Sequence, residues 1–230
     1  MGPRLPVSAL RAAVLAGCLL LAGAAHAAAP DDGTCRNGDF PTQNPVFGVA
    51  RVQGAERSYF LDDDKGCPND GAVCRTRAYV VAGDQLLTGR SRGAYVCVLY
   101  PNRGGGTAGW MAKDRLAAQP VPVPPLSAWV GQWHNFDDTI ALKAKGALLE
   151  ASGDAYWPSA NPPLRLRPGG PNVGDFSGEA RPVGGHVVFA DKDPDGCTVT
   201  LDRVGPWLVA ADNQMCGGMN VSFSGVYTRK

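Results

Sequence analysis

The chain has 230 residues, with 22 Lys and Arg against 21 Asp and Glu and a formal net charge of +1. That balance excludes a nucleic-acid partner recruited by basic excess, and it excludes an acidic disordered tail. Hydrophobic residues make up 44%, enough for packed cores, while 30 Gly and 19 Pro point to many short turns.

Seven cysteines is an odd number, and the first segment accounts for the odd one. Arg4 and Arg11 lead an apolar stretch, Ala12 to Ala24, too short to span a bilayer as a helix. Ala25-His26-Ala27 follows as a signal-peptidase site, so residues 1–27 read as a signal peptide. Cleavage removes Cys18. It also removes Arg4 and Arg11, leaving 20 basic residues against 21 acidic, a net charge of −1. The alternative is Leu15-Ala16-Gly17-Cys18 as a lipobox, with Cys18 the lipid anchor. Both readings place the protein outside the cytoplasm, periplasmic or secreted. No later segment is apolar enough to serve as a transmembrane span.

Six cysteines in an exported chain read as disulfides. Cys67 and Cys74 bracket the turn-rich Pro68-Asn69-Asp70-Gly71 and are expected to close it locally. Cys35, in an N-terminal arm over 28–44, then remains for Cys97. Four cysteines allow three connectivities, so this pairing stays open at the level of sequence. Farther on, Cys197 opens an alternating run, Gly205-Pro206 turns it, and Trp207 to Ala210 returns, which brings Cys216 near Cys197. A zinc site is the rival reading, but there is no CxxC and no cysteine has a well-spaced histidine. No cofactor is expected.

Helical periodicity is nearly absent, and short alternating runs bounded by Gly, Asp, Asn or Pro predict an all-β protein. Residues 45–117 form the first expected module. It has a strand Ala78-Tyr79-Val80-Val81 entering a Gly83-Asp84 turn, a strand Tyr95 to Tyr100, and a Gly-rich loop from Asn102 to Thr107. Gly109-Trp110-Met111 and Asp114-Arg115-Leu116 close it. Tyr95 and Tyr100 lie an odd offset apart on one strand, so at most one is expected to face a core. Residues 118–126 are proline-dense and read as an extended linker that is neither sheet nor helix. Residues 127–230 form the second module, with strands at His186 to Phe189, Cys197 to Val204 and Val221 to Phe223, and a hairpin about Gly146.

The order YVV-x-GD, G-x-YV-x-V-x-Y, GWM over Tyr59 to Leu116 resembles the bacterial SH3-like domain. That resemblance implies a small barrel that binds a cell-wall peptide or another protein, with Tyr59, Tyr100 and Trp110 as candidate ligand-facing aromatics. The alternative for Trp110 is that it plugs the barrel. In the second module, Gly131-Gln132-Trp133 and a late Arg229 resemble the opening and closing of lipocalin-type barrels. There an arginine of the last strand covers the first-strand tryptophan, so a Trp133–Arg229 cation–π contact is implied. The fold class expected is therefore an SH3-like small barrel followed by a second antiparallel β-barrel or sandwich.

The tail Asp212-Asn213-Gln214-Met215-Cys216-Gly217-Gly218-Met219-Asn220-Val221-Ser222-Phe223, with an upstream Asn172-Val173-Gly174-Asp175-Phe176-Ser177-Gly178, resembles a recurrent C-terminal domain of exported bacterial proteins. Physically, Gly217-Gly218 suggest a positive-φ turn, and Asp212-Asn213 suggest side chains bonding local amides. Asp191, Asp193 and Asp195 match the start of a calcium loop, with Asp202 at its twelfth position. The strand-like flanks make an acidic hairpin turn the competing reading.

After cleavage the histidines are His134 and His186, and no hydrolase or nucleotide motif occurs. The expected function is that of a non-enzymatic exported binding protein of the cell envelope. Its concrete form is an inhibitor or immunity protein against a wall-degrading enzyme, inserting Gln214-Met215 or the Asn102 to Thr107 loop into a cleft. A peptidoglycan-binding module is a further form. A carrier of a small apolar ligand and a hydrolase with paired carboxylates are the competing classes, the first requiring a cavity inside the second barrel.

Overall fold

The structure is a computed structural model, and it describes residues 1–2, 33–44, 46–102, 105–158 and 170–229. The signal-peptide and lipobox residues from Arg4 to Ala27, Cys18 among them, lie outside the described residues. Among the described residues no helix is long and apolar enough to cross a membrane.

The chain is all-β, with two antiparallel sheets. The first contains β1 (Gly48–Val52), β2 (Ser58–Leu61), β3 (Arg75–Val80), β4 (Gln85–Arg92), β5 (Tyr95–Tyr100), β6 (Thr107–Ala112) and β7 (Leu116–Gln119). Their order is β3-β2-β6-β5-β4-β1-β7. A one-turn helix, Phe40–Gln43, precedes them with Phe40 fully buried. The second sheet contains β8 (Gly131–Asn135), β9 (Asp138–Lys145), β10 (Leu148–Trp157), β11 (Asn172–Ala180), β12 (His186–Ala190), β13 (Thr198–Val204), β14 (Trp207–Asp212) and β15 (Gly225–Arg229). It is an up-and-down meander in which first and last strands pair, Arg229 opposite Trp133. Its end strands, β11 and β12, lie against each other, so the sheet is a nearly closed barrel.

Turn residues set the hairpins. Gly146, at φ 61°, joins β9 to β10 with Lys145 opposite Leu148. Gly205, at φ 55°, joins β13 to β14 with Val204 opposite Trp207. Both were expected from the sequence. Three expectations change. Ala118 and Gln119 are not linker but the end of β7, paired with Ala50 and Val49, because both carry a backbone N–H and proline begins only at Pro120. Leu126–Ala128 is a short 3₁₀ turn that straddles the expected boundary between linker and second module. Val221 to Phe223 is not a strand. The Phe223 N–H donates to the Asp212 carboxylate and the Val221 N–H to the Gly218 carbonyl, and the last strand starts at Gly225.

Three apolar clusters hold the two sheets. One fills the second barrel and contains Trp129, Trp133, Phe176, Phe189, Phe223 and Tyr227. Another lies on one face of the first sheet and contains Val52, Phe60, Val80, Leu86, Val96, Val98 and Met111. The third lies on the opposite face of that sheet. There Cys97, Leu99 and Trp110 join Phe40 of the arm with Val204, Trp207, Val209 and Val226 of the second barrel. The two sheets thus share a core. Alternation assigns each strand's side chains: Tyr95, Cys97 and Leu99 to one cluster, Val96, Val98 and Tyr100 to the other. Strand β5 has core on both faces, so Tyr95 and Tyr100 are both half-buried, against the expectation that at most one faces a core. Strand β14 is likewise buried on both faces, Trp207 and Val209 toward the shared core, Leu208 and Ala210 toward the barrel interior.

The three disulfides are Cys35–Cys97, Cys67–Cys74 and Cys197–Cys216, with Cα separations of 5.6, 5.5 and 4.5 Å. Cys67–Cys74 and Cys197–Cys216 are the pairs expected from spacing, and Cys35–Cys97 is the connectivity left open for the other two.

Candidate functional site

The segment from Asp212 to Ser224 is the most heavily anchored irregular backbone of the second barrel. The Asp212 carboxylate accepts the Ser222 and Ser224 hydroxyls at 2.6 and 2.7 Å and the Phe223 N–H at 3.2 Å. Asn213 Oδ1 accepts the N–H groups of Thr198 and Met215, each at 3.1 Å, and its amide donates to the Gly196 carbonyl at 2.8 Å. Cys216 is tied to Cys197. Asn172 Nδ2 donates to the Met219 carbonyl at 2.6 Å, and the Gly218 N–H donates to the Val173 carbonyl at 3.0 Å. The two sequence signatures around residues 172–178 and 212–227 are therefore halves of one contact.

Gly217 and Gly218 do not adopt positive φ. The left-handed residues of the loop are Gln214 and Asn220, each at φ 63°. Gly217 is small for a different reason. It forms a β-bridge with Gly174, and a side chain on either would strike the other's backbone.

This anchored loop exposes two methionines among polar and glycine residues, and apolar side chains of β10 and β11 are exposed with them. Met215 is 59% exposed, Met219 78% and Trp157 48%, with Val173 also exposed beside them. Gln214, Met219, Asn220 and Trp157 line a hollow of about 510 Å³ at this end of the barrel. Met215 stands outside the hollow. The other loop proposed from sequence is described only in part, since residues 103 and 104 lie outside the described residues. Its Gly105 packs against the Phe136 ring.

The three aromatics chosen from the first module are not brought together. Trp110 is fully buried, with the Arg92 guanidinium 4.6 Å from its ring centroid, so it presents nothing to solvent. It does not plug the small barrel either. It lies on the Cys97 and Leu99 face, in the core shared with the second barrel. Tyr100 packs on the opposite face. Tyr59 alone is at a surface groove. Its ring lies 5.9 Å from Tyr79, with Arg75 at 5.4 Å over Tyr59 and Arg57 at 4.2 Å over Tyr79. Sequence reasoning passed over Arg57, Arg75 and Tyr79. The signal available was alternation, since Arg75, Arg77 and Tyr79 share one face of β3.

Trp133 and Arg229 meet as the lipocalin-like opening implied, with the guanidinium 4.8 Å from the ring centroid. Arg203, not anticipated, lies at the same distance. Both arginines donate to the Ala128 carbonyl, Arg203 at 3.0 Å and Arg229 at 2.6 Å, and the Trp133 indole donates to the Trp129 carbonyl at 2.8 Å. Burial first, then the neighbouring Arg229 charge, pushes Arg203 down to about 10. Gly131 sits at φ 143° where a Cβ would meet the Arg229 side chain at 3.3 Å, which explains the glycine two residues before the tryptophan.

The acidic hairpin binds itself. Asp191 accepts the Cys197 N–H at 3.0 Å and Asp193 accepts the Asp195 N–H at 3.1 Å. Asp202 instead contacts His186 across β12 and β13, Oδ1 to Nδ1 at 2.9 Å. The strand flanks, the amides held by Asp191 and Asp193 and the turn of Asp202 toward His186 fit the acidic hairpin turn that competed with the calcium loop. Among the described residues, the carboxylates close enough to share an ion are Asp62, Asp63 and Asp64. Arg36 already pairs with Asp63 at 2.8 Å and with Asp64 at 2.5 Å. The His186–Asp202 pair borders a hollow lined by Phe47, Val121 to Pro124, Gly185 and Arg203, a lining that contains no hydroxyl or thiol. His134 lies on β8 between Thr139 and Thr228.

One half-buried carboxylate stands out. Asp138 accepts the Tyr156 N–H at 3.0 Å, and its pKa is raised to about 6, chiefly by burial, with Asp137 and Asp212 adding to the effect. Tyr227, fully buried and donating its hydroxyl to the Phe223 carbonyl at 3.0 Å, is raised well above the usual phenol range, mainly by burial.

Comparison with protein-family models, with curated proteins and with solved structures finds no match to this chain.

Proposed function

We propose that this is an exported binding protein of the cell envelope that engages a partner protein through the loop from Asn213 to Ser222. The observation that carries the reading is the combination of rigid anchoring and apolar exposure. Met215 and Met219 stand out from a backbone fixed by a disulfide, a glycine–glycine bridge and the Asp212 and Asn213 side chains, and Trp157 of β10 is exposed at the same hollow as Met219. Methionine and tryptophan are among the residue types enriched at protein interfaces. A loop already held in one shape loses little conformational entropy on binding, so more of its contact energy appears as affinity. Three disulfides fit an oxidising compartment outside the cytoplasm.

The specific form is an occluding inhibitor or immunity protein that seats this loop in the cleft of a wall-degrading enzyme. Transport of an apolar ligand inside the second barrel receives no support, because Trp129, Trp133, Phe189 and Phe223 pack in the one cluster that fills that interior. The test is pull-down from periplasmic extract together with a muralytic assay, using the wild type and a Met215→Glu/Met219→Glu double variant. Inhibition by the wild type, lost in the double variant, is expected. Binding to purified sacculi with no protein partner and no inhibition would replace this form with the peptidoglycan-binding one.

A further inference from the structure

We propose that the groove at the β2–β3 end of the first sheet is a docking site for an acidic peptide segment of a partner protein. The groove is lined by Arg57, Tyr59, Arg75, Tyr95, Asp114 and Arg115 over a floor that includes Leu61 and Met111, and its volume is about 260 Å³. It is separate from the Met215 and Met219 loop, which belongs to the second barrel.

The arginines are set for an anion. Arg57 lies over Tyr79 and Arg75 over Tyr59, and the two rings sit side by side at a tilt of 58°, so the four side chains form a contiguous row, Arg-Tyr-Tyr-Arg. Stacking on a ring fixes a guanidinium plane while leaving its N–H edge for bidentate bonding to a carboxylate. Arg57 and Arg75 are both exposed, and among the described residues neither forms an ion pair. Arg115 has a loose one, 3.8 Å from Glu56. Arg77, on the same face of β3 as Arg75, is also exposed. The whole chain is nearly neutral, so this concentration of cations is local and not a consequence of composition.

The shape and the remaining groups favour a peptide over an anionic polymer. Small-molecule sites run to roughly 300–1,000 Å³, so this groove takes a side chain or two of a longer ligand. Its lining is mostly polar, with the Tyr59 and Tyr95 rings available to the methylenes of a peptide. Asp114 in the wall repels a dense row of phosphates but accepts a peptide N–H. The β3 edge leaves limited room for strand addition, because Thr76 Oγ already accepts the Ala78 N–H at 3.2 Å. The peptide therefore lies on the arginine–tyrosine face, not as an added strand.

The experiment is fluorescence anisotropy with the full chain and a fluorescein-labelled Glu-Ala-Glu-Ala-Glu peptide, a Lys-Ala-Lys-Ala-Lys control and inorganic polyphosphate. The acidic peptide is expected to bind, to weaken with added salt, and to weaken about tenfold or more in Arg57→Ala/Arg75→Ala, since charge-assisted hydrogen bonds are the strong ones. Tyr59→Ala is expected to weaken it as well, while Met219→Glu leaves it unchanged. An unchanged melting curve of the double arginine variant separates loss of binding from loss of fold. No binding of the acidic peptide, equal binding of the lysine control, indifference to the arginine replacement, or tighter arginine-dependent binding of polyphosphate would each overturn the proposal.

Discussion

Gly174 and Gly217 meet backbone to backbone. A Cβ on Gly174 would lie 2.3 Å from the Cys216 carbonyl oxygen, and a Cβ on Gly217 would lie 2.5 Å from the Gly174 Cα. Neither distance is tolerable, and both obstacles are main chain, so nothing flexible can yield. Gly174→Ala and Gly217→Ala are each expected to cost about 2–4 kcal/mol, as overpacking against backbone does. The pair shares one contact, so the double variant should cost less than the sum of the singles. Thermal unfolding of the four proteins checks this. Additive losses would mean that the two glycines act separately.

The Cys197–Cys216 bridge closes a loop of sequence separation 19 that contains the β13–β14 hairpin. Removing it as Cys197→Ala/Cys216→Ala should cost about 3 kcal/mol by loop-closure entropy. The fold should survive at room temperature because Asn213 still bonds Thr198 and Gly196. Denaturant titration gives the stability. Proteolysis within residues 213–222 reports the expected loosening of the loop.

Asp138 gives the chain a pH dependence with a definite sign. Its pKa is raised in the folded protein to about 6, above the ordinary carboxylate value. Its favourable contribution is therefore present at acid pH, below the unfolded value, and is lost as pH rises through about 6. Above that pH the folded state carries a partly buried charge at a cost, after allowance for solvent screening, of about 1–2 kcal/mol. Asp138→Asn keeps an oxygen to accept the Tyr156 N–H and removes the charge. It should raise the melting temperature at pH 7.5 and leave it nearly unchanged at pH 4. A variant that is destabilised equally at both values would show that the carboxylate serves packing alone.

Arg203 and Arg229 are both held against Trp133 and both donate to the Ala128 carbonyl. Arg229→Met keeps an apolar stem on Gly131 and should cost about 1 kcal/mol, the scale of one cation–π contact. Arg203→Met should cost more, because Arg203 also donates to the Trp207 carbonyl at 3.0 Å in the β13–β14 turn. Chemical denaturation of the two single variants ranks them. The reverse order would place the greater burden on the last strand.

Much of the fold is legible in local pattern. Gly146 and Gly205 mark their hairpins because left-handed backbone at a tight turn is cheap only without a Cβ. Cys197–Cys216 follows from hairpin geometry and Cys67–Cys74 from a short turn-rich loop, whereas Cys35–Cys97 joins the arm to a strand 62 residues away and has no local signal. Tyr95 to Tyr100 reads as a strand because its residues are β-branched and aromatic. The candidate site is less legible. Arg57, Arg75 and Tyr79 look like ordinary surface residues of a polar strand until Tyr59 from the neighbouring strand is placed opposite Tyr79.

Local pattern specified most of the strands, the Gly146 and Gly205 hairpins and the closures Cys67–Cys74 and Cys197–Cys216, because each depends on periodicity, on backbone freedom or on a short span of chain. The tertiary structure alone placed Trp110 in a core shared with Val209 and Val226, joined Cys35 to Cys97, laid Arg229 on Trp133 and covered β5 and β14 on both faces. It alone brought Gly174 to Gly217 and set two arginines on two tyrosines. These are contacts between residues far apart in the chain. No local period encodes them, and they form only when two complete sheets bury their remaining apolar faces against each other.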